Sequence, residues 1–80
     1  MEEPTLTCTD GNGWRQLRRA LGLNQQQFWN RIGITQPGGC RYEKGRNMPK
    51  HVLYLVNIAY GPDMQAEGMV AWLRRLSRTM

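Results

Sequence analysis

The sequence predicts an all-α fold, five short helices gathered into one compact bundle. Apolar residues recur at spacings of three and four in successive segments, which is the period of a helix with one buried face. Glycine and proline fall between those segments as stop signals. No segment alternates apolar and polar residues as a half-buried strand would, and the chain has no internal repeat or low-complexity tract.

The first helix carries Trp14, Leu17 and Leu21 at i, i+3 and i+7, and Gly22 stops it. The "DGNG" at residues 10–13 reads as a turn before it, which leaves 1–13 as a flexible N-terminal segment. A second helix, from about Gln25 to Arg31, has the fullest start signal in the chain. Asn24 is the N-cap, Gln27 completes a capping box, and Leu23 with Phe28 occupies the two positions of a hydrophobic staple. Gly33 interrupts the run and keeps this helix short.

The third segment is the weak one. Thr35 is an N-cap candidate, and Pro37 would fall in the first turn, where the N–H it lacks has no intrahelical partner. Gly38 and Gly39 each cost up to ~1 kcal/mol relative to alanine in a helix. Propensity alone therefore argues for a loop over 36–39, and only tertiary packing would hold a helix there. After a loop, "GRNMP", bracketed by Gly45 and Pro49, the residues Val52, Leu55, Val56 and Ala59 share a helical face that ends at Gly61-Pro62. A fifth helix over 63–77 places Met69, Trp72, Leu73 and Leu76 on one stripe.

Eighty residues make one small domain with a modest core. The net charge is +5, and its placement matters more than its size. Residues 1–13 carry −3, residues 14–50 carry +7 and residues 51–80 carry +1. Positive charge gathered in one segment suits a polyanion, because each neutralised phosphate releases counterions. Cys8, Cys40 and His51 form no metal pattern, and two cysteines in this chain point to a reducing, cytoplasmic setting rather than a disulfide framework. No apolar run approaches the ~20 residues a membrane helix needs, and the N-terminus has no signal-peptide character. No nucleophile–base pair, paired carboxylates or phosphate-gripping glycine loop is present, so neither catalysis nor a cofactor is expected.

Helix, glycine-containing turn, helix is the outline of a helix-turn-helix. Residues 23–45 read "LNQQQFWNRIGITQPGGCRYEKG". From Gln25 to Glu43 this resembles the phage repressor and Cro type of the motif, the xenobiotic-response-element family with its lambda-repressor-like fold. The resemblance implies a bacterial or phage transcription regulator, most simply a repressor, whose core over 14–61 puts helix 35–44 into the DNA major groove. It also implies that Arg18 pairs with Glu43, a structural role that takes Arg18 out of the DNA-contacting set. Phe28 and Ile32, four apart, would form one face under Ile34 and Tyr42. Two positions depart from the family. Trp29 replaces the usual alanine of the second helix, and Gly39 replaces a branched aliphatic facing it. Large for small meets small for large, the condition under which a core keeps its volume. The indole of Trp29 is expected to lie over the Gly39 backbone and anchor the third helix.

On that alignment Gln36, Pro37, Cys40 and Arg41 face the bases. Glutamine can pair with adenine and arginine with guanine, each bidentate contact being worth ~1–3 kcal/mol. Gln25 matches the position that touches phosphate and braces the first glutamine of the reading helix, and Thr35, Lys44, Arg46, Asn47 and Lys50 are the other backbone-contacting residues. The expected partner is double-stranded DNA with an inverted-repeat operator, bound by a homodimer. The C-terminal helix, 62–80, is the expected dimer seam. The alternative is an antitoxin-type interaction module that binds a toxin or another protein and regulates its own operon.

Overall fold

The computed structural model describes residues 10–79, with side chains up to Arg75. The expectations for residues 1–9, Cys8 among them, and for the Leu76 side chain lie outside the described residues. Five helices and no strand are present among the described residues: α1 Gly11–Ala20, α2 Gln25–Asn30, α3 Gln36–Glu43, α4 Lys50–Tyr60 and α5 Asp63–Thr79. Helix α3 packs on α1 and α2, while α4 and α5 pack on each other. No helix is long and apolar enough to cross a membrane among the described residues.

Helix α1 starts earlier than its apolar pattern. Asp10 adopts an extended conformation and its carboxylate accepts from the Gly13 N–H at 2.9 Å, so "DGNG" is a capped first turn rather than a separate turn. Glycine is required at position 11 for a tertiary reason. A Cβ there would overlap the backbone carbonyl of Tyr42, so the start of α1 lies directly against the end of α3.

Helix α2 has the full capping box, with Asn24 Oδ1 accepting from Gln27 N at 2.7 Å and Gln27 Oε1 from Asn24 N at 3.0 Å. It closes with paired hydrogen bonds, Ile34 N to Trp29 O and Gly33 N to Asn30 O, each 3.0 Å. Gly33 has φ +80°, which glycine adopts at no steric cost. Helices α1 and α3 end in the same pattern, at Gly22 and Gly45.

Helix α3 forms despite its composition. Thr35 caps it, its Oγ1 accepting from Gly38 N at 3.2 Å, and Pro37 sits in the first turn. The core beneath it is built from Trp14, Phe28, Trp29 and Val56, surrounded by Leu17, Leu23, Ile32, Ile34, Tyr42, Met48 and Tyr60. Tyr60 stacks flat on Phe28, with centroids 4.0 Å apart, and its hydroxyl donates to the Phe28 carbonyl at 2.6 Å. One residue thus ties the end of α4 to α2 by both apolar and polar contact.

Two expectations about apolar faces need correction. In α4 the buried positions are Val52, Val56 and Asn57, whereas Leu55 is 45% exposed and Ala59 also faces solvent. The core side is rotated toward Asn57, whose side-chain amide is satisfied by the Leu53 carbonyl one turn back, at 2.8 Å. In α5, Met69 is buried and the ring of Trp72 meets Tyr54 edge-on at 5.9 Å. The stripe expected to form a dimer seam is therefore turned at least partly inward, onto α4.

Candidate nucleic-acid interface

The site is organised around one buried carboxylate. Glu43, in the last turn of α3, accepts from Arg18 twice, Nε to Oε2 at 2.9 Å and Nη2 to Oε1 at 3.0 Å. Such a two-pronged guanidinium–carboxylate pair fixes orientation as well as distance. Arg18 Nη1 also donates to the Leu23 carbonyl at 2.9 Å, so the same guanidinium closes the α1–α2 loop. The Trp29 indole Nε1 donates to Glu43 Oε2 at 2.8 Å, and Gln25 Nε2 donates to Oε1 at 3.2 Å. Three helices converge on the two oxygens.

Burial works against charge on Glu43. Hydrogen bonds from Arg18, Trp29 and Gln25, together with the Arg18 charge, outweigh it and hold the carboxyl below its ordinary value. With only 2% of the Glu43 side chain and 11% of Arg18 exposed, this pair is not a solvated surface bridge.

Trp29 does more than fill space. Its ring covers Gly39 so closely that a Cβ at 39 would overlap Cγ and Cδ1 and come within 2.7 Å of Nε1. The indole is fully buried, edge-on to Phe28 at 5.1 Å and tilted against Tyr42 at 5.7 Å. Glycine at 39 lets the ring reach the helix backbone, and that depth puts its N–H on Glu43. The contrast with Trp14 is instructive: its indole N–H is buried without a partner.

From Glu43 the polarity propagates outward. A carboxylate only accepts, so Gln25 must turn its NH₂ inward and leave its Oε1 facing α3. Gln36 meets that oxygen with its own NH₂, at 2.7 Å. The Gln36 amide is thereby held with its Oε1 and its second N–H unused among the described residues, the acceptor–donor pair that matches adenine N6 and N7 in the major groove.

The other expected base-facing residues lie on the same exposed surface of α3. Pro37 and Arg41 are exposed, while Cys40 is half-buried and less available than expected. Among the backbone-contacting set, Thr35, Lys44, Arg46, Asn47 and Lys50 are exposed, with Gln25 half-buried under Gln36. Arg46 and Asn47 border a cleft of about 240 Å³ with Asp10, Gly11 and Asn12 at the start of α1. Sequence reading did not bring Asp10 and Gly11 to this end of the molecule. An extended α1 beginning at an aspartate before glycine was the available signal.

Residues 15–59 match the family model described as the RsaL-like HTH domain, spanning all but the ends of the first four helices. The match supports a helix-turn-helix family without selecting the phage repressor and Cro type within it. Neither a curated protein nor a solved structure matches the chain.

Proposed function

The chain belongs to the RsaL-like helix-turn-helix family, a DNA-binding class, and from that premise we propose that it is a sequence-specific transcriptional regulator, acting as a repressor. The observation that carries this reading is the fixed Gln25–Gln36 pair on an exposed α3, backed by the Glu43 junction. A surface glutamine without a ligand loses little by moving freely. One locked in the orientation that adenine requires is prepared for readout.

Helix α3 enters the major groove in the manner of the phage repressors, with Gln36 and Arg41 reading base edges. Pro37 and the half-buried Cys40 offer apolar contact there. Gln25, Thr35, Lys44, Arg46, Asn47 and Lys50 hold the phosphates, and the chain acts by binding rather than by catalysis. So small a domain makes few contacts, so two copies bind an inverted repeat with half-sites about one turn (~34 Å) apart, joined through α5.

Selecting bound sequences from a random duplex pool tests the reading. A defined inverted repeat is expected, and enrichment of no sequence would refute it. Gln36→Ala and Arg41→Ala then relax preference at particular base pairs, at ~1–3 kcal/mol each. Lys44→Ala weakens all sequences alike and lowers the salt slope by about one.

A further inference from the structure

A glutamine side chain ends in two groups of nearly equal size, one that accepts and one that donates. Turning the amide over exchanges them at little steric cost, so a pair of glutamines taken alone has two arrangements of similar energy. In one, Gln36 donates to Gln25, and in the other it accepts from it. The structure holds the first, with Gln36 Nε2 2.7 Å from Gln25 Oε1. Which arrangement holds decides the order in which the exposed edge of Gln36 presents its acceptor and its donor.

We infer that Glu43, buried beneath the reading surface, is a positioning residue that selects between these arrangements and so sets base preference at the Gln36 position. Its acceptor sites are all taken. Oε2 accepts from Arg18 Nε at 2.9 Å and Trp29 Nε1 at 2.8 Å, and Oε1 from Arg18 Nη2 at 3.0 Å and Gln25 Nε2 at 3.2 Å. A guanidinium and an indole can only donate, whatever stands opposite them. Gln25 is the one partner of Glu43 able to reverse. An uncharged amide at 43 therefore keeps its oxygen toward Trp29 and Arg18 Nε and turns its NH₂ toward Gln25. Gln25 then accepts, its own NH₂ passes outward, and Gln36 has to accept from it. Donor and acceptor change places at the surface, two side chains from the substitution, and adenine meets a donor at N6 and an acceptor at N7.

The same reversal is reachable without removing the carboxylate. Gln25→Lys sets an ammonium between Glu43 and Gln36 that donates in both directions and cannot accept. Glu43 keeps its donor and gains a positive neighbour, while Gln36 is obliged to turn its oxygen inward. Gln25→Met, of similar length but without a hydrogen-bonding amide, leaves Gln36 free to take either order.

The inference rests on the DNA-binding reading for its effect on bases, and its test has one arm with DNA and one without. In the free full-length chain, NMR of the side-chain amides is expected to show one Gln36 Nε2 proton shifted downfield by its bond to Gln25. Gln25→Lys abolishes that shift. With DNA, selection from a random duplex pool locates the base pair at which Gln36→Ala relaxes preference. There the wild type is expected to favour adenine, Gln25→Lys to disfavour it about tenfold against the wild type, and Gln25→Met to show no preference. The base pair relaxed by Arg41→Ala keeps its preference in all of them. Glu43→Gln is expected to follow Gln25→Lys where circular dichroism gives it the wild-type helix content, and Gln25→Lys carries the test where it does not. An adenine preference that survives Gln25→Lys, or a Gln36 amide signal that does not respond to it, overturns the inference. So does a Gln25→Lys profile equal to that of Gln25→Met, because Gln25 would then hold Gln36 in place without choosing its order. A wild type that enriches no sequence removes the DNA-binding reading and leaves the amide signals to decide whether the relay exists.

Discussion

Helices α2 and α3 form one packed pair and α4 and α5 another, yet they are held by opposite means. The first pair is short, 6 and 8 residues, and α3 contains a proline and two glycines. Its position comes from a carboxylate and an indole that meet across helices. The second pair is longer, 11 and 17 residues, and buries Val52 and Met69 by ordinary apolar burial, while Val56 of α4 joins Trp14, Phe28 and Trp29 in the core under α3. Where a surface must present particular side chains outward, stability has been concentrated in a few inward residues. Gly39 and Glu43 fix α3, which leaves Gln36, Pro37 and Arg41 on its exposed side for the proposed readout. Where no such demand exists, helix length and hydrophobic area suffice.

The difference can be broken from its strongest side. Trp29→Ala removes a fully buried ring and a hydrogen bond to Glu43, for a loss of about 3–5 kcal/mol. In a domain this small that melts α3, visible as lost helix content and a lower urea midpoint. Gly39→Val alone is also severe, because its side chain meets the ring. The double variant is expected to be milder than the two losses added together. Strict additivity, within about 0.5 kcal/mol, would mean that the ring and the glycine do not depend on each other.

Glu43→Gln comes next, at about 3 kcal/mol, since it leaves Arg18 buried without its counter-charge. Acid makes the same point without mutation. Folding lowers the Glu43 pKa, so its contribution is complete above the unfolded value near 4.5 and is lost as pH falls through the lower folded value. Urea midpoints taken between pH 7 and about pH 3 should drop for the wild type, and drop less for Glu43→Gln.

Met69→Ala probes the other pair and costs about 2–4 kcal/mol through the cavity it leaves. Because it touches no part of the Glu43 junction, it lowers the melting temperature without changing which bases are selected. A changed base preference would show that the two pairs are not independent. Asn24→Ala is the smallest change, about 1 kcal/mol, from loss of the α2 cap.

Local signals carried much of this fold, and tertiary ones carried the rest. The capping box at Asn24 and the stops at Gly22, Gly33 and Gly45 depend on neighbours in sequence, and they mark the boundaries of α2 and the ends of α1 and α3. The start of α1 had a local signal in the Asp10 cap, which the glycines at 11 and 13 masked as a turn; only the need for glycine at 11, set by the Tyr42 carbonyl, lies far along the chain. The α4 face was misread because Leu55 and Ala59 satisfy the helical period as well as the residues that are buried. At the site, both the Arg18–Glu43 pairing and the facing of positions 29 and 39 were accessible only through resemblance, and the exchanged sizes of Trp29 and Gly39 added that the two departures compensate. The hydrogen bond from Trp29 to Glu43 had no sequence signal, because it spans two helices and depends on how deep the ring sinks. Gln25 reaching Glu43 was hidden for the same reason.

The close fit of Trp29 on Gly39 also constrains how this chain can change. With the ring in place, any side chain at 39 collides with it, and without the ring glycine at 39 faces an unfilled space while Glu43 loses a donor. The two positions are therefore not independently variable, and neither single step leaves α3 folded: the pair has to change together. A library that randomises 29 and 39 separately would consist largely of non-folding members. One that varies them as a matched pair, with Glu43 kept, would leave the outward residues of α3 free to vary on an intact frame.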